Sequence, residues 1–165
     1  MAIVHTGYLE YDELKSCQQL PSEKRYASGP VAVIECVQEI PCNPCEAACK
    51  FGAICIGDEI TRLPVLDADK CTGCGMCIAK CPGLAIFVVD KSAGDTATVA
   101  FPYEYYPVPA AGDEVKAVNR RGEPVCDGTV VRVVNPKAYD HTPVVTVKIP
   151  AAFADEVRSI QRRRQ

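Results

Sequence analysis

An α+β fold is the expectation for this chain, and three observations lead to it. Two apolar, β-branched runs, "VAVIEC" at 31–36 and "LAIFVVD" at 84–90, read as strands. Between them cysteines recur every three or four residues, a spacing that suits tight loops and short helices. After residue 98 the apolar runs "VAFPYEYY", "DEVKAVN", "GTVVRVVN" and "PVVTVKIP" alternate with turn residues. The chain divides accordingly into an N-terminal extension (1–30), a cysteine-rich unit (31–92) and a β-rich part (98–165). Four short strands at this spacing suggest a small antiparallel β domain, a barrel or a sandwich.

In the extension, "YDELKSC" reads as a short helix, and "LPSEKRYASGP" as a polar linker bounded by Pro21 and Pro30. "KSAGDTAT" is a turn-rich joint between the second and third parts. Near the C-terminus, "ADEVRSIQRR" (154–163) carries Val157 and Ile160 at a three-residue spacing and reads as a terminal helix.

Bulk composition narrows the function. The 165 residues are 48% hydrophobic and 24% charged, with a net charge of −3. Such a balance gives no basic face for nucleic acid. The terminal "RRRQ" is too short to supply much affinity and reads as solvated. No apolar run approaches the roughly 20 residues that span a bilayer. The N-terminus lacks a charged-then-apolar export pattern, so a cytoplasmic, reducing setting is expected. Of eleven cysteines, nine lie between residues 36 and 81. In a reducing setting that crowding favours metal over disulfides.

The stretch "CTGCGMCIAKCPG" places Cys71, Cys74, Cys77 and Cys81 in the C-x2-C-x2-C-x3-C-P pattern of a cubane iron–sulfur ligand run. A cubane needs one thiolate at each of four irons, and a loop with a cysteine at every third residue wraps three corners. Gly73 and Gly75 let the backbone approach closely. Cys81 lies one helical turn past Cys77, and Pro82 ends the helix. Zinc knuckles are spaced more widely.

The earlier run, "IPCNPCEAACKFGAICIG" (40–57), is regular only when aligned from its end. "CKFGAI" parallels "CPGLAI", which puts Cys49 in the fourth position, Cys45 in the third and Cys42 in the second. Asn43-Pro44 supports a helix over 44–50, since Asn caps and Pro suits the first turn. The first position should be residue 39, which is Glu39. Three candidates could replace it. Cys36 ends a strand, as the first cysteine of such a run does. Cys55 lies on the following strand, from which a side chain reaches back less easily. Glu39 could itself serve as a carboxylate ligand, unless the position has none and the cluster has three irons. Lys50 stands where a proline would follow the fourth cysteine, and Lys70 and Lys80 flank the second run. Cations there would raise cluster potentials.

Residues 31–90 resemble the bacterial-type two-cluster ferredoxin domain. The resemblance implies a ferredoxin-like fold with two 4Fe–4S clusters and crossed ligation. Cys71, Cys74, Cys77 and Cys49 would hold one cluster. Cys42, Cys45, Cys81 and Cys36 would hold the other. A narrower resemblance, carried by "GPVAVIECVQEIPCNPCEAAC" and "LPVLDADKCTGCGMCIAKCPGLAIF", is to the small iron–sulfur subunits of FAD-dependent amino-acid dehydrogenase complexes. These oxidise proline, hydroxyproline or sarcosine. That resemblance implies FAD on partner subunits and not on this chain, and in some complexes a small 2Fe–2S protein. The expected role is an accessory electron-transfer subunit, without catalysis of its own. The alternatives are a free ferredoxin-like carrier and an iron–sulfur structural or sensor protein. Outside the cysteines no G-x-G-x-x-G follows a strand, and His5 and His141 are isolated. Extra β structure without such chemistry suits a docking platform.

Overall fold

The computed structural model describes residues 3–17 and 20–162; the tail "RRRQ" lies outside them beyond Arg162. Three short helices open the chain: α1 (Ile3–Thr6), α2 (Tyr11–Cys17) and α3 (Glu23–Ala27). Helix α3 occupies the stretch expected to be a linker. Ser22 caps it, its side chain accepting a hydrogen bond from the Arg25 N–H at 3.2 Å. Strand β1 (Val31–Ile34) follows, then α4 (Pro44–Ala48), a small hairpin of β2 (Ile54–Cys55) and β3 (Val65–Leu66), and α5 (Met76–Lys80). The remaining strands are β4 (Ile86–Asp90), β5 (Thr96–Pro102), β6 (Glu114–Val118), β7 (Pro124–Val134), β8 (Val144–Pro150) and β9 (Ser159–Ile160).

Seven strands form one antiparallel sheet in the order β1-β4-β5-β8-β7-β6-β9. The C-terminal strands are antiparallel, as expected, but they share this sheet with the cysteine-rich part. The turn-rich joint is the turn of the β4–β5 hairpin, with Asp90 opposite Thr98.

Side-chain alternation gives the sheet two buried faces. Val31 and Val33 of β1 and Phe87 and Val89 of β4 enter a core that also takes Val99, Val147 and Val157. Ala32, Ile34, Ile86 and Val88 point the other way, into a core shared with Cys45, Cys77 and Ile78. Strands buried on both faces lose the polar alternation, hence the unbroken "VAVI" and "IFVV".

Residues from both ends of the strand order, Val31 and Ile160, share the first core, so the sheet curls. A buried ion triad bridges the two ends. Glu35, just after β1, accepts from Arg120 Nε at 2.8 Å and Arg120 NH2 at 2.6 Å, and from Arg158 Nε at 2.6 Å. Arg120 lies in the β6–β7 turn and Arg158 immediately before β9.

The terminal helix expected over 154–163 does not form in the described residues. A 3-10 turn (Ala151–Phe153) is followed by extended chain that pairs with the edge of β6. Arg158 N–H donates to Val118 O at 2.9 Å, and Gln161 N–H to Lys116 O at 2.8 Å. Pairing satisfies an otherwise open strand edge, and it buries both Val157 and Ile160.

Candidate metal centre

The two cysteine runs fold into matching halves. Helix α4 begins with Pro44 in its first turn, although Asn43 makes no side-chain cap bond. Helix α5 begins after Gly75, whose φ is +79°. Each helix ends on a cysteine in extended conformation, Cys49 (ψ 95°) and Cys81 (ψ 111°). Three residues further each chain turns through a left-handed residue, Gly52 (φ +59°) or Leu84 (φ +52°). The next amide in each half then donates to the cysteine sulfur: Ala53 N–H to Cys49 Sγ at 3.3 Å, and Ala85 N–H to Cys81 Sγ at 3.4 Å. Alignment from the end of the runs is therefore a real structural equivalence.

The cysteines gather around two small cavities of similar size. Cys49, Cys71, Cys74 and Cys77 line the first, with Ala32 and Val88 of the sheet as its floor. Cys36, Cys42, Cys45 and Cys81 line the second, beside Ile56 and Ile86. Each cavity thus takes three cysteines from one half and one from the other. Cys55 lines neither; it is exposed on β2, opposite Val65. Glu39 is also exposed and outside the second cavity.

Electrostatics group the thiols in the same way. Burial pushes the Cys77 thiol up to about 12, with Cys71, Cys74 and Cys49 adding to the rise. Burial likewise pushes Cys45 up to about 11, with Cys81 and Cys42 adding. The Cys36 thiol is raised by burial, and Cys81 and Cys42 contribute. Such thiols are protonated when free, so a thiophilic metal must displace protons to bind.

Among the described residues no three His, Cys, Asp or Glu side chains converge as around a single metal ion. Four thiols lining one cavity suit a cubane, which spreads its four thiolates over four irons. Two such sets, each with an amide donating to a sulfur, fit a pair of 4Fe–4S clusters. A cluster held there would supply one-electron redox chemistry. Lys50, Lys70 and Lys80 are all exposed, and Lys70 pairs with Asp67 at 2.9 Å. Exposure screens these charges.

The residues that hold the first cavity's loop include some outside both cysteine runs. Ala32 N–H donates to Cys71 Sγ at 3.4 Å. Gly73 lies against Pro30, so that an added Cβ would stand 2.5 Å from Pro30 Cβ and 2.7 Å from its carbonyl. Glycine is required there by the neighbouring chain as well as by φ +66°. Arg25 donates to Cys71 O at 2.6 Å. The cap signal of Ser22 before Glu23 was the available hint of the helix that carries Arg25. Tyr139, from the 3-10 turn between β7 and β8, packs on the second core, so the C-terminal strands also reach the cysteine layer.

Comparison with known proteins agrees with this chemistry. Residues 64–87 match the family described as 4Fe-4S binding domain. An uncharacterized ferredoxin of Methanocaldococcus jannaschii is 34% identical over 85 residues, 50% of this chain and 52% of that one. One subunit of the Na(+)-translocating ferredoxin:NAD(+) oxidoreductase complex of Acetobacterium woodii is 50% identical over 48 residues, 29% of this chain and 14% of that one. A subunit of an ion-translocating oxidoreductase complex of Methanosarcina acetivorans is 45% identical over 47 residues, 28% and 17% of the two chains. The chain thus spans about half of the first relative and less than a fifth of the others. No solved structure matches. No helix among the described residues is long and apolar enough to cross a membrane. On these matches and the geometry of its cysteine loop, the segment from residue 64 to residue 87 is similar to ferredoxin-type 4Fe–4S binding domains.

Proposed function

We propose that this chain carries two 4Fe–4S clusters and relays electrons as an accessory subunit of an oxidoreductase complex. Cys49, Cys71, Cys74 and Cys77 hold one cluster, and Cys36, Cys42, Cys45 and Cys81 the other. The carrying observation is the four-and-four grouping of eight thiols around two cavities, each drawing on both halves of the duplicated unit. Such a pair passes the two electrons of a flavin singly. The resemblance of the cysteine-rich stretch to the small subunits of amino-acid dehydrogenases supports FAD-bearing dehydrogenase subunits as the partners, in the cytoplasm, with a 2Fe–2S protein as a further one. The C-terminal strands serve as the docking platform.

Iron and acid-labile sulfide analysis, with electron paramagnetic resonance (EPR) of the reduced protein, tests the clusters. About eight irons per chain and a spin-coupled spectrum are expected. Cys36→Ala should lower the count to about four irons, and Cys55→Ala should leave it unchanged. The reverse pattern would refute the assignment. Co-elution with a flavin-containing partner on native gel filtration tests the subunit role. The match to a ferredoxin favours one other reading, a free carrier. A clean monomer would select it.

A further inference from the structure

We propose that Arg25 is a positioning residue for the first cluster, making the N-terminal extension part of that cluster's site. The inference rests on the reading that Cys49, Cys71, Cys74 and Cys77 hold a cluster. Arg25 lies in α3, well before the first cysteine of either run. Its guanidinium donates to four backbone carbonyls. Nε reaches Ala68 O at 2.7 Å, and NH1 reaches Gly29 O at 3.1 Å. NH2 reaches Pro30 O at 3.0 Å and Cys71 O at 2.6 Å. Two acceptors belong to the segment leading into β1. The other two belong to the loop that delivers Cys71.

The planar fork therefore ties together two stretches about 40 residues apart in sequence. Cys71 is then held from both sides. Arg25 takes its carbonyl, and Ala32 N–H takes its sulfur. Gly73, two residues on, rests against Pro30, whose carbonyl is another of the four acceptors. With Arg25 removed, four carbonyls lose a charged donor, and the loop loses its link to α3. Lysine keeps the charge but cannot reproduce the fork, because its ammonium is a single point with three donors.

The test compares the full chain, purified without oxygen, with Arg25→Met, Arg25→Lys and Lys24→Met. Lys24 is the exposed neighbour on the same helix. Readouts are iron per chain, the EPR spectrum after reduction, and the rate of iron release to a ferrous chelator. Arg25→Met should fall from about eight irons to about four, and its spin-coupled spectrum should become that of an isolated cluster. In Arg25→Lys, iron should leave one cluster about tenfold faster or more, since three donors on one nitrogen cannot serve four carbonyls and each lost bond from a charged donor is worth about that factor. Lys24→Met should match the wild type.

Wild-type release rates and an unaltered coupled spectrum in both Arg25 variants would overturn the proposal. So would equal loss of both clusters, which marks a general role in stability. If Arg25→Met yields no folded protein, the release rate of Arg25→Lys decides. The wild-type iron count tests the cluster reading separately. About four irons would refute the pair of clusters while leaving Arg25 testable on the one that remains, and no iron would overturn both.

Discussion

Glu35→Gln removes the anion from the triad that joins the two ends of the curled sheet. The wild-type carboxylate accepts three bonds of 2.6–2.8 Å from Arg120 and Arg158. Side-chain exposure is 7% for Glu35, 9% for Arg120 and 5% for Arg158. Glutamine keeps one acceptor oxygen but leaves two buried cations facing each other. Breaking a buried pair in this way costs about 3–5 kcal/mol. Because one acceptor remains, the lower figure applies, about 3 kcal/mol. For a chain of this size that corresponds to a fall in Tm of about 6–12 °C.

Scanning calorimetry of the cluster-loaded protein at a fixed scan rate measures the fall. A triple replacement, Glu35→Leu with Arg120→Met and Arg158→Leu, should recover most of it, since apolar groups need no counter-ion. Acid sensitivity adds a check. Burial pushes the Glu35 carboxyl up, but Arg158 and then Arg120 outweigh it, so its pKa is lowered overall. Its contribution is therefore complete above the unfolded value of about 4.3 and is lost as pH falls through the folded value. Glu35→Gln should lack this part of the acid transition. A Tm within about 2 °C of wild type would show that the triad does not hold the ends of the sheet together. Cys36 is the next residue, so the second cavity should also load less well in the variant.

Gly73→Ala and Gly52→Ala separate backbone strain from close approach. Both residues have positive φ, +66° and +59°, but nothing stands within 4 Å of a Cβ at Gly52. Gly52→Ala should cost about 1 kcal/mol by urea unfolding and keep all its iron. Gly73→Ala should cost more and release the first cluster, because Pro30 backbone blocks the added methyl; equal effects would show the contact to be unimportant. Reconstitution with ferrous iron and sulfide should improve as pH rises. Cys77 and Cys45 have pKa values pushed up to about 12 and 11, so binding must displace their protons. Between about pH 6 and pH 9, loading should rise by up to roughly tenfold per pH unit for each such thiol. Loading that is flat or falls with pH would contradict this.

The 4Fe–4S character of the second cysteine run was legible in its spacing and glycine placement, which are local properties of an eleven-residue loop. So was the equivalence of "CKFGAI" with "CPGLAI", which reappears as matching helix ends, left-handed turns and N–H to sulfur bonds. The short helix at 11–17 and the strands after residue 96 were legible from period and turn residues. The terminal segment is ambiguous in sequence because Val157 and Ile160 fit a helical spacing as well as they fit a turn followed by a strand. What chose between the two was the open edge of β6, which lies some forty residues away.

The pattern of residues alone points to 4Fe–4S chemistry: thiols at cubane spacing, on two related halves, between strands apolar on both faces. Local spacing suffices there, since three ligands and the first turn of the next helix lie within one loop. Only the fold shows which cysteines line each cavity. The strand ending at Ile34 delivers Cys36 into the second cavity, whereas the β2–β3 pairing leaves Cys55 facing outward. It likewise brought Arg25 to Cys71 and Glu35 to Arg158, contacts between residues 46 and 123 positions apart. No local pattern encodes such contacts. They exist because curling the sheet and packing the extension on it bury charged groups that must then find partners.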